Sequence, residues 1–385
     1  MTSGLTLSPH LARLDDRLRA VIVATSPPER FQQLDDEHRF DAQLHAALAD
    51  AGAWSFGVPP EDGGTGGGMA EQVVALRALG HHATSMGMFG VVQFLCTRIL
   101  AANANQSQRN EFLRPLAQGR LQASFCLTEK QGGTDILRLM ETRAERDGEG
   151  WRLDGTKTWI CGADQSDLLI VVARTSPGKT DGVTMFVVPR TAKGVTIRRL
   201  RTFAVNGYSV CEVNFAGVEL TDAQVLGQAG KGFRQLLAML NAERLTAAAN
   251  ALGMAEGALA LAAGHARERK AFDKTLGHFQ AVQHKLANAA VAYELAWTYL
   301  MTAAVACDRG EAVDVSSSMA KLAAVQAAQT ACDVGMEILG ATAFDVASPM
   351  QRYYRDHRLY VIAPLNNDMS RSLIAERYFD LPRGF

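Results

Sequence analysis

Cys126-Leu127-Thr128-Glu129-Lys130-Gln131-Gly132-Gly133-Thr134-Asp135 stands where the hydrophobic period of the chain changes. Upstream, over residues 30–116, apolar residues recur at spacings of three and four (Leu44 and Leu48; Val73, Val74, Leu76 and Leu79), the period of helices with one buried face. Downstream, over 122–221, short β-type runs take over: Trp151-Arg152-Leu153, Leu168-Leu169-Ile170-Val171-Val172-Ala173, Val183-Thr184-Met185-Phe186-Val187-Val188 and Val195-Thr196-Ile197, closed by the run 210–215. Asp147-Gly148, Asp154-Gly155 and Asp181-Gly182 read as the turns between them. From Gly230 on, the chain is Ala- and Leu-rich with helical spacing, broken at Gly277, Gly310 and 340–349, which fits four or five long helices of a bundle. The prediction is an α+β multidomain fold: an N-terminal α-helical domain over 1–120, a central antiparallel β domain over 121–225 and a C-terminal helical bundle over 226–385.

A chain of 385 residues exceeds what one core organises, and 48% hydrophobic residues supply ample surface to bury. Formal net charge is −1 and no Lys/Arg run occurs, which argues against a nucleic-acid or membrane-surface binder and for a small-molecule or protein partner. No apolar run reads as long enough to span a membrane. Residues 1–20 set Leu11, Leu14 and Leu18 against Arg13, Asp15, Asp16 and Arg17, a helix pattern rather than that of a signal peptide. Cys96, Cys126, Cys161, Cys211, Cys307 and Cys332 have neither CxxC spacing nor a His cluster nearby. They read as reduced, buried thiols of a cytoplasmic enzyme, with no metal site. The segment Val58-Pro59-Pro60-Glu61-Asp62-Gly63-Gly64-Thr65-Gly66-Gly67-Gly68 is glycine-rich but lacks the strand before it and the βαβ unit of a dinucleotide loop, so it reads as a flexible connection.

The stretch 126–135 resembles the "TEP.AGSD" signature of acyl-CoA dehydrogenases. Asp154-Gly155-Thr156-Lys157-Thr158-Trp159-Ile160 is similar to that family's "G.K.WIT" strand, and Leu240-Asn241-Ala242-Glu243-Arg244-Leu245 to the opening of its bundle. Arg267-Glu268-Arg269-Lys270-Ala271-Phe272-Asp273 with Phe279-Gln280 resembles its "R.QFG…FQ" segment, and Arg355-Asp356-His357-Arg358 its "RD.R" segment. Five elements in order cover the whole chain. The resemblance implies the acyl-CoA dehydrogenase fold with a C-terminal four-helix bundle, and FAD between the β domain and the bundles of two subunits of a homotetramer or homodimer.

What the resemblance implies for cofactor binding falls on Phe125, Leu127, Thr128, Gly133 and Thr134 around the isoalloxazine, with Trp159 flanking the ring. Cys161 stands where the family has a Thr or Ser hydroxyl, and a thiol is the poorer donor. Arg269 suits the pyrophosphate, because a guanidinium fork meets two phosphate oxygens at once, and is offered from the neighbouring subunit with Phe272 and Gln280. Glu337 and Ala341, beside Gly340, replace the family's Gln and Gly where the other subunit's FAD is met; Asn366 completes the cofactor set.

The implied reaction takes the α-proton of an acyl thioester while the β-hydride goes to flavin N5, so a carboxylate must face the α-carbon. Most of the family carry it in an "EGT" triplet; here that triplet is Pro364-Leu365-Asn366. The isovaleryl- and long-chain-type branch instead carries the Glu on the helix that opens the bundle, before an Arg, which makes Glu243 the candidate base beside Arg244. Proline also has no N–H for the thioester carbonyl, so either Leu365 N–H takes over or the substrate sits differently. Substrate contacts are assigned to Thr134, Asn241, Arg244, Pro364 and Leu365, and acyl-chain length to residues 91–95 and 239–242.

The carrier is coenzyme A, or phosphopantetheine on an acyl or peptidyl carrier protein as in prolyl oxidation in secondary metabolism; Arg198, Arg199 and Arg201 are the candidate docking charges, with solvated loop charge as the alternative. The electron acceptor is an electron-transfer flavoprotein or oxygen. A flavin oxidase or monooxygenase on the same fold, and a partner subunit without a base, are the competing readings.

Overall fold

The computed structural model describes residues 7–178, 180–382 and 384, so the first six residues of the N-terminal segment read above as helical lie outside the described residues. Helix α1 (Pro9–Thr25) starts where Ser8 Oγ accepts from Leu11 N and Pro9 takes the first helical position; Leu11, Leu14, Leu18 and Ile22 then form its buried stripe. Helices α2 (Pro28–Asp36), α3 (Ala42–Asp50), α4 (Met69–His82) and α5 (Thr84–Asn103) follow. Among the described residues, the helix pattern read over residues 1–20 is α1, with Leu11, Leu14 and Leu18 inward as their spacing suggests. The glycine-rich segment 58–68 is folded rather than a loose connection: Gly66 N donates to Val58 O, Gly57 N donates to Gly66 O, and a 3-10 turn spans Pro60–Asp62.

The β domain contains strands β1 (Ala123–Cys126), β2 (Arg143–Asp147), β3 (Gly150–Cys161), β4 (Leu168–Arg174), β5 (Val183–Pro189), β6 (Val195–Leu200), β7 (Val210–Leu220) and β8 (Val225–Leu226). They pair in the order β6-β7-β3-β2-β4-β5-β8, with β1 beside β4. The ladders are antiparallel except β1 with β4 and the single β2–β4 pair, which are parallel. Strands β4 and β5 read as unbroken apolar runs because both faces are covered. Leu169, Val171, Phe186 and Val188 point into the β domain's own core, whereas Ile170, Val172, Met185 and Val187 join the core shared with the helices. Asp154-Gly155 is no turn: it lies inside β3 as an irregularity opposite β7, and Asp154 Oδ1 accepts from Gly217 N (2.7 Å).

The bundle consists of α6 (Gly232–Glu268), α7 (Gln280–Asp308), α8 (Asp314–Leu339) and, after the short α9 (Pro349–Asp356), α10 (Asn367–Tyr378). Between α6 and α7 runs a small hairpin, β9 (Lys270–Ala271) and β10 (Lys274–Thr275). Helix α6 crosses α4 backbone to backbone: a Cβ on Gly80 would overlap the Asn250 carbonyl, and one on Gly253 the Arg77 carbonyl. Arg77 on the same helix α4, stacked on the ring of Trp297, donates to Asp15 (2.8 Å) and so ties α4 to α1.

Three helices among the described residues, α5, α6 and α7, are long and apolar enough to cross a membrane, which corrects the reading that no such run occurs. In α5 and α6, 83% of the apolar window is buried inside the protein, and a helix buried on every face reads as apolar all round. Only 39% of the α7 window is buried, and Val291 and Leu295 project outward one turn apart.

Candidate active site

Two of the sequence motifs meet through a buried ion pair. Lys157, on β3 and 0% exposed, donates to Glu129 Oε1 (2.7 Å) and to Leu127 O (2.9 Å). Glu129 also accepts from Glu141 N (2.6 Å) and Thr142 N (3.1 Å), while Thr158 N donates to Thr128 O (2.9 Å). Burial disfavours the charged form of both partners, yet Lys157 and the backbone donors hold the Glu129 carboxyl below its ordinary pKa. The loop 127–134 is thereby pinned to β3. Sequence reasoning missed this pair; its one signal is a Glu and a Lys inside otherwise apolar or glycine-rich motifs.

Around that anchor lie the predicted cofactor residues. Phe125, Leu127 and Thr128 are half-buried; Gly133 and Thr134 are exposed, and a Cβ at Gly133 would meet nothing within 4 Å. Trp159 has φ +61°, inside the β3 irregularity between Lys157 and Ile160, and is turned outward with 60% of its surface exposed. Cys161 is half-buried, and its carbonyl accepts from Ser124 Oγ (2.7 Å) and Tyr208 OH (3.3 Å). Burial pushes its thiol up to about 12, so it stays protonated. Asn366 Nδ2 donates to Thr134 Oγ1 (3.3 Å), bringing the C-terminal segment onto the same loop.

Glu243 sits on α6 between buried Ala242 and Arg244. Burial raises its carboxyl to about 7, with Arg244 opposing, and among the described residues no hydrogen bond or ion pair closes on its carboxylate. Its charge is felt by Cys161 on β3, Cys96 on α5 and Tyr360, so it faces the interior where those elements converge. The rival reading, an exposed carboxylate paired with Arg244, does not match this placement. Arg244 Nη1 donates instead to Asn241 Oδ1 (2.7 Å) and Ser317 Oγ (3.4 Å). Asn241 is therefore the partner of Arg244.

The Ala363–Pro364 bond is cis. Beyond it, Leu365 O accepts from Lys321 Nζ (2.6 Å), and Asn366 Oδ1 caps α10 by accepting from Met369 N (2.7 Å). Lys321 and Tyr360 were not legible as site residues. Lys321 is the one cation on the Ala-lined face of α8 formed by Ala320, Ala324 and Ala328, a pattern that spells core.

The remaining predicted residues gather at the far end of α6. Arg269 ends that helix, Phe272 on the hairpin is 89% exposed at φ +50°, and Gln280 opens α7. Glu337 pairs with Lys285, and Gly340 and Ala341 are exposed at the end of α8. At 1.5 Å per residue, Arg269 lies roughly 39 Å along the helix from Glu243. Within one chain the two groups belong to different places.

Sequence profiles of the acyl-CoA dehydrogenase N-terminal, middle and C-terminal domains match residues 9–120, 124–218 and 230–379. Benzylmalonyl-CoA dehydrogenase of Aromatoleum aromaticum is 31% identical over 346 residues, spanning 89% of this chain and 91% of that protein. This chain belongs to the acyl-CoA dehydrogenase family. As a member it is an FAD-dependent oxidoreductase acting on the CH–CH bond of acyl thioesters. The solved glutaryl-coenzyme A dehydrogenase with glutaryl-CoA superimposes at TM-score 0.93 with 26% identity, covering 99% of this chain and 98% of that one. PigA, solved with FAD and proline, superimposes at TM-score 0.93 with 20% identity, covering 98% and 99%, a likeness of fold.

The acyl-CoA dehydrogenase residues present here fit an FAD. Open backbone at Gly133, the hydroxyls of Thr128 and Thr134, the outward indole of Trp159 and the protonated Cys161 thiol supply the close backbone approach, the donors and the flat apolar face that a flavin ring takes. Arg269, with no partner among the described residues, leaves its guanidinium free for phosphate.

Proposed function

We propose that Glu243 is the base that removes the α-proton of an acyl thioester lying between α6 and the Thr134–Trp159–Cys161 surface. The supporting observation is an interior carboxylate without a neutralising partner among the described residues, raised to about 7 and near enough for its charge to act on Cys161. Bound FAD supplies the acceptor for the β-hydrogen and its electron pair. Thr134, fixed by Asn366, borders the same space, and Leu365 N–H is the donor nearest to the place of the missing Pro364 N–H.

A base with this pKa gives a signed pH profile. The rate of flavin bleaching by a saturating acyl thioester is expected to rise about tenfold per unit below the transition and to level off above about pH 7. Stopped-flow absorbance between about pH 5.5 and 8.5 checks it, and a flat profile removes the assignment. The same shift acts on stability with the opposite slope. The folded-state value lies above the ordinary 4.5, so the native state keeps the proton longer and this group's contribution declines as pH rises from 4.5 through about 7.

The FAD site is completed by a second copy of the chain, which offers Arg269, Phe272 and Gln280 across the interface. Supporting this are the roughly 39 Å between Arg269 and Glu243 on one helix and the outward apolar residues Val291, Leu295 and Phe272. Arg269→Ala is expected to weaken FAD retention at least about tenfold, read as the 450 nm to 280 nm absorbance ratio after gel filtration. Light scattering on the same column gives the assembly, dimer or tetramer.

A second reading replaces coenzyme A with a carrier protein bearing an aminoacyl group. In its favour are the departures at Cys161, Pro364 and Asn366 and the likeness to PigA, solved with proline. Against a basic docking face, Arg198 pairs with Glu212 and Arg199 with Asp164, leaving Arg201 of that cluster. Rates on one acyl group presented on either carrier decide between them. Reoxidation of the reduced enzyme by oxygen or by an electron-transfer flavoprotein identifies the acceptor.

A further inference from the structure

Lys321 is fully buried, and its ammonium reaches two acceptors, Leu365 O (2.6 Å) and Asn367 Oδ1 (2.9 Å), both on the short segment from Pro364 to the first residue of α10. No carboxylate neutralises it: among the described residues it has no ion pair, and its nearest charged neighbours are cations, Arg244 and Arg371. Burial and these two cations pull its pKa down to about 8, the sign of an ammonium kept where charge is unfavourable. An unneutralised buried ammonium is costly unless its hydrogen bonds are satisfied. Here the satisfying groups all belong to one short segment. That segment also carries Asn366, which caps α10 and donates to Thr134, so its position is transmitted to the cofactor loop.

We propose that Lys321 is a positioning residue for the reaction: it fixes the 364–367 turn so that the Leu365 N–H meets the thioester carbonyl, replacing the donor that Pro364 lacks. The inference rests on the acyl-thioester reading of the site above. Holding the Leu365 carbonyl on the bundle side sets the orientation of the chain immediately after the Leu365 N–H. Arg244, whose Nη1 bonds Ser317 one turn before Lys321 on α8, adds a second positive charge close enough to act on Lys321. Together they make the region favourable for negative charge that develops on the carbonyl oxygen as the α-proton leaves.

The test uses holoenzyme of Lys321→Met, which keeps length and removes the donor. Expected are unchanged FAD content, kcat for flavin reduction about tenfold to a hundredfold lower with a smaller change in KM, and a diminished flavin spectral shift on titration with a non-oxidisable 3-thiaacyl-CoA. Carbonyl polarisation without proton transfer is read in Glu243→Gln as the infrared shift of the thioester C=O of a bound acyl-CoA. A normal shift there, lost in Glu243→Gln/Lys321→Met, supports Lys321 whether or not Glu243 is the base. A lowered Tm with unchanged kcat and spectral shift makes Lys321 a packing residue only and overturns the proposal. Should Lys321→Met not fold, Asn367→Leu removes one of the two acceptors while leaving the Leu365 bond. A several-fold loss of kcat with FAD retained supports the proposal, and no change in kcat or spectral shift overturns it.

Discussion

Glu243→Gln is expected to yield a folded, yellow enzyme that acyl thioesters bind but no longer bleach. The amide has the shape of the carboxylate and cannot accept the α-proton at neutral pH, so only base catalysis is removed. General bases contribute about a hundredfold to ten-thousandfold, which sets the expected fall in the reduction rate. The fold should not suffer. The Glu243 carboxylate lacks a hydrogen-bonding partner among the described residues and burial works against its charge, so a neutral amide relieves a cost rather than breaking a contact. Single-turnover absorbance with excess substrate measures the rate, and an unchanged value would end the assignment of the base.

The second large effect is on stability. Glu129→Leu would leave Lys157 charged, buried and facing apolar neighbours, and would orphan the N–H groups of Glu141 and Thr142. Removing one partner of a buried pair costs about 3–5 kcal/mol, whereas exchanging both for apolar residues is often near neutral. Glu129→Leu is therefore expected to lower Tm steeply and shed FAD, because loop 127–134 loses its anchor. Glu129→Leu with Lys157→Met should recover much of the Tm without restoring tight FAD binding, since Leu127 O and the two N–H groups remain unpaired. A single variant as stable as the parent would show that the pair does not hold the loop.

Much of the architecture is written locally. The change of period around 126–135 separates helix from strand, and the unbroken apolar runs of β4 and β5 report burial on two faces. Glu243 was singled out as a candidate because a Glu-Arg pair stands at a recognisable place in a recognisable helix. Lys157, Glu129 and Lys321 were not, because a charged residue reads as solvent-facing unless its distant partner is known. The pairs span 28, 44 and 46 residues. Asp154-Gly155 misled for the opposite reason: a strong local turn signal was overridden by pairing of β3 with β7, which turns the glycine into a strand irregularity. The three apolar helices illustrate the same limit, since composition registers what a helix is made of and not what covers it.

The glycine-mediated crossing of α4 and α6 bears on how the enzyme accommodates its substrate. Where two backbones touch with no side chain between them, neither helix can roll or slide without losing its seat. The wall that carries Glu243 is consequently held at a set distance from the helical layer behind it. Adaptation to bulkier or more polar acyl groups then falls to individual side chains, leaving selectivity to be rewritten residue by residue rather than by domain opening.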